Sequence, residues 1–97
     1  MISTEAILKF LSESKPELEH RFGVRRIGLY GSFALGTQTE SSDIDILVEL
    51  EEPSFDSLAG LQLHLEENFE RKVDLHRISA SIRTPFAKRI EASALYA

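Results

Sequence analysis

The stretch Leu29–Leu50, LYGSFALGTQTESSDIDILVEL, constrains this chain most. From Asp43 onward the apolar residues alternate. Ile44, Ile46, Val48 and Leu50 point one way, while Asp43, Asp45, Leu47 and Glu49 point the other, which predicts a half-buried strand. Before it stands the turn dipeptide Gly31-Ser32, with Phe33-Ala34-Leu35 as a helical turn that Gly36 ends. Thr37–Ser42 is a polar loop between the two.

Around this centre the chain reads as alternating elements. Thr4–Ser14 predicts an amphipathic helix capped by Ser3 or Thr4, with Ile7, Leu8 and Leu11 on one face. A second short helix is expected over Pro16–Phe22, because proline suits a first helical position and Gly23 an end. Val24–Tyr30 predicts a strand whose Arg25-Arg26 pair reads either as solvated edge charge or as charge turned to a partner. Pro53 and Ser54 close the central strand, and Phe55–Phe69 predicts a helix with Leu58, Leu61, Leu65 and Phe69 in one stripe and Asp56, Glu66, Glu67 and Glu70 on the wet side. Lys72–Arg77 predicts a short strand with Val73, Leu75 and Arg77 on one face and Asp74 and His76 on the other. A last helical segment, capped by Ser79 or Ser81 and interrupted by Pro85, carries Phe86, Ile90 and Leu95 at helical spacing. Residues 94–97 form a brief strand or a frayed end. The order α, α, β, turn, β, α, β, α predicts an α/β (α+β) fold, a mixed sheet with helices packed on it, in one domain over residues 1–97.

Composition narrows the function classes. With no cysteine there is no disulfide framework and no thiolate metal site, so a metal would meet oxygen or histidine. No apolar run approaches a membrane span, and the first ten residues have no basic leader, so a cytoplasmic protein is expected. The net charge of -5 opposes stable direct binding to nucleic acid. Charge is uneven: residues 40–70 hold ten acids and no Lys or Arg, and residues 71–89 hold six of the eleven basic residues.

Two carboxylates two residues apart on a strand share a face, about 7 Å apart at their Cα atoms, and can converge on one ion. Oxygen-only ligands with open positions suit Mg²⁺. Asp74 is the third candidate, since a neighbouring strand would bring it to the face of Asp43 and Asp45. Gly31-Ser32 offers close backbone approach, main-chain N–H groups and a hydroxyl to anionic oxygens, helped by the dipole of the helical turn. Together these groups suit phosphoryl or nucleotidyl transfer. Taken singly, a Gly-Ser pair is most often an ordinary turn, alternating Asp a solvated face, and a lone Asp74 a surface acid; only the combination carries weight. His20, His64 and His76 have no metal-ligand spacing, and His76 alone shares a strand face with an acid of interest, Asp74. There is no Walker lysine, no GxGxxG and no Ser/Cys nucleophile motif.

Gly31-Ser32, ten residues, then Asp43-Ile44-Asp45 resembles the signature of the minimal nucleotidyltransferase family of the DNA polymerase beta superfamily. The likeness continues through Leu47-Val48-Glu49, Arg71-Lys72-Val73-Asp74-Leu75 and Ile90-Glu91-Ala92, spanning roughly Val24 to Tyr96. The resemblance implies that Asp43, Asp45 and Asp74 are catalytic and bind Mg²⁺, two ions being expected, with Asp74 on the base side, and that Gly31 and Ser32 hold the phosphates of ATP. It further implies an antitoxin that transfers AMP to a tyrosine hydroxyl of a HEPN-family toxin. One position departs: the family commonly has Arg after the Ala of its Gly-Ser-x-Ala turn, and this chain has Leu35. That removes a fixed positive charge from the phosphate end. Two other readings stand beside transfer to a toxin: neutralisation by contact with little catalysis, and transfer to a small molecule or RNA.

Overall fold

A computed structural model describes residues 2–79 and 84–97. Helix α1, Thr4–Phe22, starts where the Ser3 hydroxyl accepts the Ala6 N–H and stops at Gly23, whose left-handed backbone (φ 70°) returns its N–H to the last turn. Strand β1, Val24–Tyr30, leads into the four-residue helix α2, Ser32–Leu35, closed by Gly36. Strand β2, Ile44–Leu50, is followed by α3, Phe55–Phe69, capped by Ser54, and by β3, Val73–Arg77. Helix α4, Pro85–Ser93, is capped by Thr84 and runs into a two-residue strand β4, Leu95–Tyr96.

The strands form one mixed sheet in the order β3-β2-β1-β4, with β1 antiparallel to β2 and β4, and β2 parallel to β3. The alternation of β2 divides two apolar layers. Ile44, Ile46, Val48 and Leu50, with Ile27, Leu29 and Val73, pack against Ile7, Leu11, Leu18 and Phe22 of α1 and Leu61, Leu65 and Phe69 of α3. Leu47 alone of the other side's β2 residues is buried; it meets Ile78 and Ile90, so α4 covers that face only in part. The remainder of the face, where Asp45 stands, stays open. Register places Arg26 of β1 across from Glu49, and Arg26 also reaches Glu91 of α4 at 3.3 Å. The Arg25-Arg26 pair is therefore on an interior strand, and Arg26 spends its charge within the fold.

Both prolines inside expected helices act differently from the sequence expectation. Helix α1 is continuous through Pro16: the missing N–H frees the carbonyl one turn back, at Ser12, and both residues face solvent, while Leu11 and Leu18 anchor the helix on either side. Pro85 opens α4 at its first turn instead of interrupting a longer helix, and Thr84, not Ser79, caps it; Ser81 lies outside the described residues. Leu95 leaves the helix and enters β4. Glu66, expected on the wet side of α3, accepts the Val73 N–H at 2.9 Å, and Gln62 one turn earlier donates to the Val73 carbonyl at 3.0 Å. These two side chains engage both backbone groups of a residue on the edge strand.

Candidate functional site

Strand register assembles the site. Tyr30 pairs with Asp45 across β1–β2, and Asp45 with Asp74 across β2–β3, so three strands put these residues in one row on one face. The next row holds Gly28, Leu47 and His76. Asp43 precedes β2 on the same side and is met by Lys72 at 3.9 Å, with the Lys72 side chain largely and that of Asp43 partly exposed.

Gly31 sits against this row. Its backbone (φ 73°, ψ -151°) is one that glycine alone adopts readily, and an added Cβ would collide with Asp45 Oδ2. The Gly31 carbonyl accepts the N–H groups of Ala34 and Leu35, both at 3.1 Å, which folds the chain into α2. Thr4 Oγ1 donates to the Phe33 carbonyl at 2.7 Å and ties this turn to the start of α1. At four residues α2 is too short for a macrodipole of consequence, so what the turn can offer an anion is individual N–H groups and the Ser32 hydroxyl.

The loop into Asp43 is held by Arg71, in the turn between α3 and β3. Arg71 donates to the carbonyls of Glu40 at 2.9 Å and Ser42 at 2.6 Å, with its guanidinium 5.6 Å from the Phe33 ring centre. Thr39 and Ser42 close the loop on themselves through a backbone bond and a bond from the Thr39 N–H to the Ser42 hydroxyl. Arg71 thus connects the Gly31 turn to the Asp43 loop, although it touches neither Gly31 nor a carboxylate.

Electrostatics mark Asp45 as the strained member. Burial pushes its carboxyl above the usual range, and the neighbouring Asp74 and Asp43 add to the shift. Tyr30 is pushed up to about 12 by burial and then by the charges of Asp45 and Asp74, so it stays a neutral phenol at physiological pH. Mutual repulsion of this kind is what a hard cation relieves, and the all-oxygen donor set fits Mg²⁺. Among the described residues no three acids or imidazoles are gathered closely enough to hold a metal by themselves. The carboxylates are spread over β3, β2 and the residue before β2, so a cation held there would need further ligands.

All five residues singled out by sequence are therefore in one neighbourhood: Gly31 touches Asp45, Ser32 follows it, and Asp43 and Asp74 flank Asp45 electrostatically. Tyr30, Arg71 and Thr4 were not singled out for the site. Tyr30 had a signal, since it immediately precedes Gly31, but its place beside Asp45 depends on cross-strand register. Leu35 is 69% exposed at the end of α2, so the position that differs from the usual arginine presents an apolar side chain to solvent. Of the histidines, His76 lies on the carboxylate face, its ring 6.4 Å from that of Tyr30, whereas His64 packs between Phe10 and Phe22 on the opposite side. No helix among the described residues is long and apolar enough to cross a membrane.

Comparison with known proteins identifies the family. A family model described as a nucleotidyltransferase domain matches residues 11–96. The protein adenylyltransferase MntA of Thermococcus cleftensis is 39% identical over 97 residues, which cover 99% of this chain and 97% of that protein. A solved structure assigned as a minimal nucleotidyltransferase aligns with a TM-score of 0.77 at 29% identity, covering 97% of this chain and 95% of that one. The fold is also that of a chain in the complex of a tri-AMPylated Shewanella oneidensis HEPN toxin with its MNT antitoxin, at a TM-score of 0.67 and 17% identity, over 96% of this chain and 70% of that one. With a family model covering most of its length and a relative alike from end to end, the chain belongs to the nucleotidyltransferase domain family of enzymes, in its minimal form.

Proposed function

We propose that this protein is a Mg²⁺-dependent adenylyltransferase that moves AMP from ATP onto a tyrosine hydroxyl of a HEPN-family toxin and thereby acts as its antitoxin. The observation that carries the proposal is the Tyr30–Asp45–Asp74 row with Gly31 packed on Asp45, in a chain whose full-length relative is named a protein adenylyltransferase. Asp43, Asp45 and Asp74 would hold the metal, which supplies charge neutralisation to the triphosphate. The Ser32 hydroxyl and the amides at the head of α2 would bind phosphate oxygens. The acceptor oxygen bonds to the α-phosphorus as the bond between that phosphorus and the bridging oxygen breaks; pyrophosphate leaves, and the phenol proton passes to Asp74. A protein acceptor is favoured because the carboxylate row lies on an open sheet face where another polypeptide has access.

Labelled ATP, Mg²⁺ and the HEPN-type product of a neighbouring gene provide the test. Label is expected on the toxin with the wild type and not with Asp43→Ala/Asp45→Ala; equal labelling by both, or none by either, refutes the proposal. Leu35 supports a second reading, neutralisation by contact alone, because an exposed apolar side chain replaces charge at the phosphate end. In that case the double variant neutralises the toxin as well as the wild type does.

A further inference from the structure

Beside the carboxylates runs an aromatic line that the transfer chemistry described above does not use. Tyr30 and His76 meet with ring centres 6.4 Å apart at 73°, and His76 and Phe86 meet at 5.8 Å and 88°. His76 is two residues beyond Asp74 on the same face of β3, about 7 Å along the strand. Phe86 projects from the first turn of α4 and is 54% exposed, although its neighbours Ala87 and Ile90 are buried. Phe86 stands outside the core under α4, which Ile90 forms with Leu47 and Ile78. The ring meets that of His76 nearly at right angles, and about half of the residue stays accessible.

The position of this line relative to the sheet decides what it would meet. Gly31, the phosphate end, follows β1; Asp45 is on β2; Asp74 and His76 are on β3. With the triphosphate at the Gly31 turn, next to Tyr30 and Asp45, the Asp74 end of the row, where His76 and Phe86 stand, is left to the group that reacts with it. We propose that Phe86, braced edge-on by His76, is the acceptor-side platform: it takes the planar phenol ring of the partner protein's tyrosine by stacking and sets its hydroxyl toward Asp74. Aromatic pairing suits this occupant, because it selects a flat ring over an aliphatic serine or threonine hydroxyl. The inference rests on the transfer reaction proposed above, and adds to it the residues that choose the acceptor.

The test compares wild type, Phe86→Ala and Phe86→Tyr with the same HEPN-type partner and labelled ATP, following the rate against partner concentration and, separately, the Kd for a non-hydrolysable ATP analogue with Mg²⁺. Phe86→Ala is expected to raise the KM for the partner about tenfold, the loss of one ring contact with its buried area. Its Kd for the analogue and its thermal unfolding midpoint should match wild type, and Phe86→Tyr, which keeps the ring, should restore the KM. An unchanged KM in Phe86→Ala overturns the platform. A parallel weakening of analogue binding also overturns it, by assigning the ring to the nucleobase. Should the wild type transfer nothing, the reaction itself falls and the platform with it, an outcome distinct from active enzyme with an indifferent Phe86.

Discussion

Gly31 is the residue at which backbone and chemistry are least separable. A side chain there must adopt a positive φ and must displace the carboxylate of Asp45, two independent penalties at one position. Gly31→Ala is expected to cost about 1–3 kcal/mol of stability and to lower transfer by more than the 10–100-fold typical of an outer-shell metal partner. Urea unfolding and the labelling assay measure the two effects. Stability loss with activity intact would show that Asp45 can move aside and still serve. Gly36 provides the contrast: it is also left-handed, at φ 76°, but an added Cβ meets nothing within 4 Å, so Gly36→Ala should carry only the conformational part. The sequence marks both glycines as turn residues and cannot separate them, because what distinguishes them is a side chain fourteen positions away from Gly31.

At the scale of elements, periodicity is legible in this sequence and single-residue punctuation is not. The alternation of Ile44, Ile46, Val48 and Leu50 and the stripe of Leu61, Leu65 and Phe69 each fix a buried face, and both elements appear with the expected faces. Pro16 marks a boundary by local rules because proline opposes helix; Leu18 and Phe22, buried against the sheet, outweigh that cost. Pro16→Ala is accordingly expected to stabilise the protein, by about 1–3 kcal/mol given the helix penalty of proline and its exposed setting. A two-helix arrangement would predict loss of stability instead, so the direction of the urea midpoint decides. Asp43, Asp45 and Asp74 were legible as a set because alternation assigns a face. Arg71 was not legible as the clasp on the Asp43 loop, since its hydrogen bonds go to the carbonyls of Glu40 and Ser42, which carry no side-chain signature.

For the molecule as a whole, the site gathers acidic charge on one face of the sheet. Ten acids between residues 40 and 70 and a net charge of -5 leave little long-range positive potential to ease it. Asp45 feels this most: its folded pKa lies above the ordinary carboxylate value, chiefly through burial, so the fold favours its protonated form. The stability this contributes to the metal-free protein is complete at acid pH and is lost as the pH rises through the folded pKa. A cation binds the opposite form, the carboxylate, and competes with the proton. Mg²⁺ should therefore raise the unfolding midpoint at pH 8, by an amount corresponding to about 2.7 kcal/mol when present at a hundred times its Kd, and should raise it much less near pH 4.5. Asp45→Asn, neutral and close in shape, should unfold later than the wild type without metal at pH 8 and lose most of the response to Mg²⁺. Thermal unfolding in EDTA and in Mg²⁺ at the two pH values decides the matter. A Mg²⁺ shift that survives in Asp45→Asn, or one that grows toward acid pH, would place the cation away from the Tyr30–Asp45–Asp74 row.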